Sequence, residues 1–560
     1  MKSLLFALRR HQYPLIFLLA IWGSYFIELF PRLLSSDADI LYINHEHAWT
    51  DWPIHISMAS TFAYQPPQNW FTHHPMYAGG GLRYTFLVNL ISGLLMRVGL
   101  SVDAAFTLPS IVYSLLLLVG LYLLFYLLLE SKWQAIAAIF IFLLSSGPGF
   151  IDFVRDFLAQ PNLESLLYPA QMYSRVDEYG WYSGNVIAGF LVPQRSFLLG
   201  FTMAVWGLVG LIYAVTRGKN RRLNLWMLTG AGVLAGILPL AHMHSFLAVV
   251  LISGPLCIII SLTRQKFFLD WLGFAIPASI LSVTLYAVFF SGKVSATQFL
   301  AFYPGWSAQG GLLGWIAMWL RLWGVMLPVA IAGLWLIRKR PVWLQTVFFS
   351  FAFIFVVTNL MLFQAAVWDN SKLFCWAYLG FSGLAVIVLD WLWHSRLRGV
   401  GRLDAIALAL VMTFTGTLEV IRLQRTGRNE MHFFQQVDVE LAQQIRQETD
   451  YDAVFLTHPT SNHFIMTWAA RPILIGFVGW LPNFGFDYQQ REQDVKAMFS
   501  GGEMSEQLLQ QYQVSYVSIG PGELNGSQAD ESYFAQRYPV AFENANYRIY
   551  DVRSLWLQSN

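Results

Sequence analysis

Long apolar stretches separated by short polar breaks dominate the chain as far as residue 421. Each stretch runs for roughly 18 to 27 residues, the length that a helix needs to cross the hydrocarbon core of a bilayer. The pattern predicts about eleven transmembrane helices, at 14–34, 103–129, 133–148, 190–216, 224–240, 242–262, 269–290, 311–337, 342–364, 371–393 and 403–421. No small-residue cleavage pattern follows the first stretch, so we interpret it as an uncleaved span.

The composition agrees with a membrane protein, since 56% of the 560 residues are hydrophobic and only 12% are charged. Basic residues cluster in breaks between the stretches, at 2–10, 132, 217–222, 264–266, 338–340 and 396–402. The positive-inside rule places these clusters and the N-terminus in the cytoplasm. We therefore predict a multi-pass protein of the plasma (inner) membrane. Basic loops of this kind set orientation and do not indicate a nucleic-acid partner.

This orientation predicts which segments face the outside. They are 35–102, 149–189, 291–310, 368–372 and everything from about 422 onward. The segment 82–100 is apolar enough for a short tilted span, but its flanking arginines favour an amphipathic helix in the outer interface. The predicted domains are therefore a transmembrane domain at 1–421 and a soluble extracytoplasmic domain at 422–560.

The soluble tail alternates between two kinds of element. Runs at 453–457, 472–477 and 514–520 have the composition of strands. The polar-amphipathic segments 489–500 and 505–512 predict helices between them. The tail is thus predicted to be a small α/β domain.

The first predicted loop is dense in titratable side chains. Asp51 and His55 stand four residues apart. In a helix they would share a face and could act on one substrate, as a base and as a phosphate or hydroxyl partner. A metal site is a second interpretation, with His45, Glu46, His47, Asp51, His73 and His74 as candidate ligands. Their spacing matches no established metal motif, and a simple solvated loop is the third interpretation.

Other polar residues fall at the predicted outer ends of the spans. Arg195 could reach lipid phosphate or grip a substrate phosphate, and Lys372 could contact a phosphate. His242 and His244 lie at a turn between two spans, where ionisable groups are costly and normally face a cavity. Asp152 could hold an acceptor or a metal, or be a loop carboxylate without a role. All arrive at one predicted membrane face, which places the working site there.

The order of these features resembles the GT-C superfamily of membrane glycosyltransferases over nearly the whole chain. Asp51, in the segment 50–55, matches by position the acidic residue of the first external loop in these enzymes. Asp152 resembles their second acidic position, and the tail segment 476–494 is similar to tails of bacterial members. The predicted fold is an all-α polytopic membrane bundle of about eleven spans with a C-terminal extracytoplasmic α/β domain.

The resemblance implies transfer of a sugar from a polyprenyl-phosphate-linked donor to an acceptor on the extracytoplasmic face, with inversion. Asp51 would be the base, with Asp37 and Asp39 as competitors for that role. The predicted catalytic residues are Asp51, His55 and Asp152. The predicted donor phosphate-binding residues are Arg195, His242, His244 and Lys372. The implied partners are the lipid-linked sugar, membrane lipid and an acceptor that is a glycan, a lipid or a protein. A divalent metal ion is an open option.

Two functions of other classes compete with an enzyme. A transporter or flippase of a lipid-linked or small polar substrate would carry repeats and polar groups near the bilayer midplane. No repeat is evident in the sequence, and the polar groups concentrate at one predicted surface. A scaffolding protein whose tail binds a partner would not need Asp51 or His55.

Overall fold

The fold was analysed in a computed structural model, which describes residues 11–37, 40–265, 268–290, 300–395, 398–424 and 431–557. The chain forms two compact units. The helical unit comprises Met1–Phe30, Ser110–Val288 and Phe299–Thr426, and the loop-tail unit comprises Pro31–Pro109, Phe289–Gln298 and Gly427–Asn560. The division into domains at residues 421 and 422 stays a prediction.

Eight helices of the described residues are long and apolar enough to cross a membrane. They are His11–Leu33, Val102–Leu129, Arg195–Thr216, Arg221–Ala241, Met243–Thr263, Leu269–Phe289, Val367–Trp393 and Gly399–Gln424. In lipid a helix satisfies every backbone hydrogen bond within the segment, which is why apolar runs of this length become helices. The chain is a multi-pass membrane protein.

The other three predicted spans differ from a straight long helix. Gly311–Trp323 and Met326–Lys339 form one pair that is bent by 94° at its break. Lys132–Leu143 and Val342–Thr358 are apolar but have only 12 and 17 residues. In the described part of the chain, eight helices, or nine with the bent pair, are long and apolar enough to span a membrane, so the number eleven stays a prediction.

The predicted second external loop carries short elements of its own. Its helices are Phe150–Ala159 and Glu164–Leu167, followed by the 3₁₀ turn Asp177–Tyr179. A π-helical turn, Ile187–Leu191, leads into the helix that begins at Arg195. Which side of the membrane this segment faces stays a prediction.

Short strands form three sheets. In chain order the strands are β1 (Leu34–Asp37), β2 (Ile40–Ile43), β3 (Ala301–Phe302), β4 (Met361–Leu362), β5 (Met431–Gln435), β6 (Val454–Leu456), β7 (Val514–Ile519), β8 (Val540–Glu543) and β9 (Arg548–Asp551). The loop-tail unit holds an antiparallel sheet ordered β1-β2-β5 and a sheet ordered β6-β7-β9-β8. In the second sheet β6 and β7 run parallel and the other pairs run antiparallel.

The tail has most of the predicted elements. Strands appear within 453–457 and 514–520 as β6 and β7, and helices appear as Gln489–Phe499 and Glu503–Gln511. Further helices are Gln436–Glu448, Phe464–Thr467, Pro521–Gly526, Glu531–Arg537 and Ser554–Leu557. The sequence analysis missed β8 and β9. The extracytoplasmic placement of this region stays a prediction.

The predicted strand at 472–477 is wrong. Ile473 makes a single bridge to Phe455, while its N–H donates to the Pro75 carbonyl at 3.2 Å and its own carbonyl accepts from Ala78 N at 3.1 Å. Gly476 N donates to the Met76 carbonyl at 2.8 Å. The backbone groups of this segment are thus satisfied partly by the first loop and partly by Phe455 of β6, to which Leu474 N donates at 2.8 Å, and no continuous strand forms.

The first loop and the tail fold together through the helix Glu46–Tyr64. Ser60 Oγ on this helix donates to the Thr467 carbonyl at 2.7 Å, and Gln65 Nε2 donates to the Ala470 carbonyl at 2.6 Å. The helix Leu87–Arg97 packs closely on its other side. A Cβ at Gly93 would come within 2.6 Å of the Ala59 carbonyl oxygen, so glycine is required for this approach. The interfacial position predicted for 82–100 stays a prediction.

Arg471 is a suitable position for testing what stabilises the loop-tail unit, because its side chain is only 1% exposed. It donates to the carbonyls of Arg446 and Thr449 at 2.8 and 2.9 Å and to Thr449 Oγ1 at 2.9 Å. Burial lowers its pKa to about 10, which leaves it charged at neutral pH. Arg471→Leu would strand these buried acceptors and should lower the free energy of unfolding by about 2–4 kcal/mol.

Thermal unfolding of the purified protein checks this expectation. The control is Arg548→Leu. The exposed guanidinium of Arg548 pairs with Glu531 at the surface, so its loss should lower the free energy of unfolding by less than about 1 kcal/mol. Equal effects of the two substitutions would contradict the structural role given to Arg471.

Candidate functional site

The helix Glu46–Tyr64 carries both Asp51 and His55, which stand four residues apart and so meet the helical condition stated for a shared face. His55 is 3% exposed, and its Nδ1–H donates to Asn89 Oδ1 at 2.9 Å. Asp51 is partly buried, and the adjacent Trp52 packs against Phe106 with ring centroids 5.8 Å apart. The sequence analysis missed Asn89, a polar residue within an apolar run.

The competing carboxylates for the role of base stand before this helix. Asp37 ends β1, and Asp39 lies outside the described residues. The roles of Asp51, His55 and these two residues stay predictions.

The histidines considered as metal ligands do not assemble a site in the part of the chain that the structure describes. Among those residues, no group of three or more His, Cys, Asp and Glu side chains is placed to hold a metal ion. His74 is fully buried, its Nδ1 accepts from Met76 N at 3.2 Å, and its ring packs on Phe484. Burial lowers the pKa of His74 to about 3, with a smaller contribution from the charge of Arg83. His74 is therefore neutral and serves packing.

His242 and His244 sit at the junction of the helices Arg221–Ala241 and Met243–Thr263. His242 caps the second helix, since its Nδ1 accepts from Ser245 N at 3.2 Å and bonds to Ser245 Oγ at 2.9 Å. A Cβ at Gly200 would come within 2.3 Å of the His242 Cβ, so glycine is needed where the helix Arg195–Thr216 passes this junction.

Lys372 joins the two histidines to form what we call the His-Lys cluster (His242, His244, Asp369 and Lys372). Lys372 Nζ donates to Asp369 Oδ1 at 2.6 Å, and both side chains are buried. The ammonium of Lys372 acts electrostatically on both imidazoles, whose centroids are 5.4 Å apart. The structure thus brings together three of the four residues predicted to bind a donor phosphate.

The His-Lys cluster contains buried polar atoms that no described residue satisfies. His242 Nε2 and His244 Nε2 have no hydrogen-bond partner among the residues of known placement. Because His242 Nδ1 accepts a backbone N–H, the proton of the neutral ring is on Nε2, which is then a donor. Buried donors are almost always bonded, so an imidazole N–H beside an ammonium is suited to an anionic oxygen.

Lys372 is positioned by the 3₁₀ turn Val367–Asn370 that precedes it. Asn370 is fully buried, and its Nδ2 donates to the carbonyls of Thr358 and Met361 at 3.1 and 2.7 Å. Trp306 Nε1 donates to the Val367 carbonyl at 2.9 Å. The sequence marked 368–372 as a polar cluster but gave no sign that Asn370 is its anchor.

Asp152 and Arg195 belong to two other helices of the helical unit, Phe150–Ala159 and Arg195–Thr216. Asp152 pairs with Arg321 at 2.6 Å and with Arg155 at 3.1 Å, so both of its carboxylate oxygens are engaged. Arg195 is 1% exposed and opens the helix whose Phe197 packs on His242 with centroids 5.1 Å apart.

Asn185 organises the backbone that leads to Arg195, a role that sequence reasoning missed. Its Nδ2 donates to the carbonyls of Leu143 and Ser145 at 2.9 and 3.2 Å. Its Oδ1 accepts from the N–H groups of Ile187 and Ala188 at 3.0 and 3.1 Å, which caps the π-helical turn. Such turns often occur at functional sites.

Asn185→Ala should therefore lower the thermal stability of the protein markedly, by about 2–3 kcal/mol in unfolding free energy, because four buried bonds are lost. Asn162→Ala, in an exposed turn of the same predicted loop, is the matched control and should change little. Thermal unfolding of both variants in a mild detergent is the measurement. A neutral Asn185→Ala would show that the turn is held by something else.

Comparison with known proteins identifies the fold. No protein-family model matches the chain, and no curated protein sequence matches it. The oligosaccharyltransferase AglB from Archaeoglobus fulgidus, solved with an inhibitory peptide and a dolichol-phosphate, superposes with a TM-score of 0.53 at 12% identity. The match covers 92% of this chain and 70% of that one.

A second similar structure is the arabinofuranosyltransferase AftD from Mycobacteria, with a TM-score of 0.54 at 14% identity. It covers 95% of this chain and 41% of AftD, so this chain spans less than half the length of that enzyme. Both are GT-C glycosyltransferases, and the chain has the GT-C fold of integral membrane glycosyltransferases. The resemblance stated from the sequence is confirmed at the level of the fold.

Proposed function

We propose that the protein is a membrane glycosyltransferase that moves a sugar from a polyprenyl-phosphate-linked donor to an acceptor on the extracytoplasmic face. The observation that carries this proposal is the buried His-Lys cluster, with its two unsatisfied imidazole nitrogens, in a chain of GT-C fold. The dolichol-phosphate bound to AglB supports a lipid phosphate as the group that leaves.

The His-Lys cluster suits a departing phosphate for electrostatic reasons. A buried ammonium is costly unless an anion accompanies it, and Asp369 supplies that anion in the structure. A phosphate oxygen could share Lys372 with Asp369 and accept from His242 and His244. Donors fixed in this way need no reorganisation while charge develops on the leaving group. Arg195 is proposed as a fourth contact.

The proposed reaction is a single displacement with inversion. An acceptor hydroxyl or amide attacks the anomeric carbon as the bond from that carbon to the phosphate oxygen breaks. Asp51 takes the acceptor proton, and the polyprenyl phosphate leaves with the bonding electrons. His55 lies one turn further along the helix than Asp51 and is bonded to Asn89. It is proposed to orient the acceptor. Asp152 is proposed to position its loop, because its oxygens are committed to two arginines.

Asp51→Asn should reduce sugar transfer by about 10²- to 10⁴-fold, because an amide cannot take the proton. The assay measures transfer from a synthetic polyprenyl-phosphate sugar by the purified protein, together with mass spectrometry of lipids that remain bound. The variant should retain its lipid-linked donor. Asp103→Asn, an exposed carboxylate in the same unit, is the control and should be fully active. A fully active Asp51→Asn enzyme would move the role to Asp37 or Asp39.

A second test addresses the phosphate site. Lys372→Gln should weaken donor binding by about 10- to 100-fold, the value of a charged hydrogen bond, and should also destabilise the protein by leaving Asp369 uncompensated. The double variant Lys372→Gln/Asp369→Asn removes both charges and should recover stability but not donor affinity. Donor titration and thermal unfolding separate the two effects. Normal donor binding by the folded double variant would remove Lys372 from the site.

The transporter alternative gains one observation, which is the pair of helices bent by 94° at their break. Broken helices are common in transporters, where they line a central substrate site. This alternative would be favoured if wild-type protein and Asp51→Asn moved a lipid-linked sugar across liposome membranes equally well, without any transfer of the sugar to an acceptor.

A further inference from the structure

The tail contains a cavity of about 360 Å³ to which the proposed reaction assigns no task. It lies where the parallel strands β6 and β7 end. The loop 457–463 follows β6, and the helix Pro521–Gly526 follows β7 directly, with Gly520 as its N-cap; residues of the loop and of the first turn of this helix line the cavity. In α/β sheets, ligands bind in the crevice outside the carboxyl ends of parallel strands. The volume is also in the range of small-molecule sites.

Glu523 determines which ligands the cavity can accept. Its carboxylate takes the backbone N–H of Gly520 at 3.0 Å and that of His458 at 2.9 Å, which are the donors that an anion would use in such a loop. Burial raises the pKa of Glu523, but the hydrogen bonds from His463 and from the His458 N–H outweigh it, so the pKa is below its ordinary value. Glu523 is therefore ionised and repels phosphates and carboxylates.

A second carboxylate on the wall adds to this charge. Asp438 is 7% exposed, and its Oδ1 accepts from Asn544 Nδ2 at 2.9 Å and from Asn546 Nδ2 at 3.1 Å. Its Oδ2 takes no part in these two bonds. Nearby, Asn462 Oδ1 accepts from Thr460 Oγ1 at 3.0 Å. The amide N–H groups of Asn462 take no part in that bond. Fixed acceptors and amide donors of this kind pair with hydroxyl groups.

Aromatic side chains complete the lining. Phe433, Phe434 and Tyr547 all contribute to the wall. The Tyr547 ring is held edge-on against His463, with centroids 5.7 Å apart, and packs at a tilt against Phe464, with centroids 4.7 Å apart. Rigid rings next to fixed polar groups suit a ligand that has an apolar C–H face and a rim of hydroxyls.

We propose that this cavity, the tail pocket, binds an uncharged saccharide unit. Its hydroxyls bond to Asp438 and Asn462, and its C–H face rests on the aromatic wall. That the saccharide belongs to the acceptor of the transfer rests on the proposed function, whereas the binding itself does not.

Saturation-transfer NMR with the full chain in phospholipid nanodiscs tests the proposal. Maltoside detergents are avoided because their head groups are saccharides. The probes are glucose, galactose, mannose, arabinose, N-acetylglucosamine and their disaccharides, with inorganic phosphate and glucuronate as charged comparators. At least one neutral sugar should bind with a dissociation constant of about 1 mM or lower, and glucuronate should bind more weakly. Binding of phosphate in place of every neutral sugar, or of no sugar, would overturn the proposal.

Variants locate the binding. Asp438→Asn and Asn462→Ala should each weaken it by about tenfold or more. Asp438→Asn keeps an oxygen for Asn544 and Asn546, and thermal unfolding verifies that both variants fold. Glu440→Gln, an exposed carboxylate on the same helix, should bind as the wild type does. Unchanged affinity in both pocket variants would place the sugar elsewhere and reject the tail pocket.

One further comparison separates this proposal from the proposed function. Sugar binding that persists in Asp51→Asn, together with loss of transfer, is the result expected when both proposals hold. Sugar binding by a wild-type protein that transfers nothing would reject the transferase and keep the pocket. Transfer without any sugar binding would reject the pocket alone.

Discussion

A charged side chain at membrane depth is stable only where the protein itself surrounds it with partners, and the polar part of the helical unit follows from this constraint. Lys372 is buried because Asp369 neutralises it, and the turn that carries both is held by Asn370. His242 is tolerated at a helix junction because it caps the next helix. With these charges compensated, the imidazole Nε2 atoms of His242 and His244 are the polar atoms of the cluster that lack a hydrogen-bond partner among the described residues.

The loop-tail unit depends on a different constraint, the pairing of segments far apart in the chain. Strand β2, at residues 40–43, pairs with β5, at 431–435, so this sheet closes a loop of nearly four hundred residues. The helix that carries Asp51 is bonded to the tail through Ser60 and Thr467. The position of the proposed base therefore depends on contacts with the tail, and substitutions at these contacts can change activity without a role in chemistry.

Hydropathy was enough to predict the long helices, because helix formation in lipid depends on local length and composition. The same reasoning grouped His242, His244 and Lys372 with Arg195 at one predicted membrane face, since each falls at the end of an apolar run, and their role there stays a prediction. It could not predict the sheet β1-β2-β5, because β2 and β5 are nearly four hundred residues apart in sequence. Nor could it predict that 472–477 would bond to the first loop. Anchors such as Asn89, Asn185 and Asn370 were also missed, because a single amide in an apolar run gives no sign of its partners.

The two proposed sites differ in the sign of the charge that they present. The His-Lys cluster offers an ammonium and imidazole N–H groups, which attract a phosphate. The tail pocket presents Asp438 and ionised Glu523, and the backbone donors of its loop are already bonded to Glu523. A charged lipid donor would be repelled there, while an uncharged glycan would lose little by entering. In the proposed transfer, charge would thus direct the donor and the acceptor saccharide to different sites, in addition to the aromatic and polar lining that suits the tail pocket to a sugar.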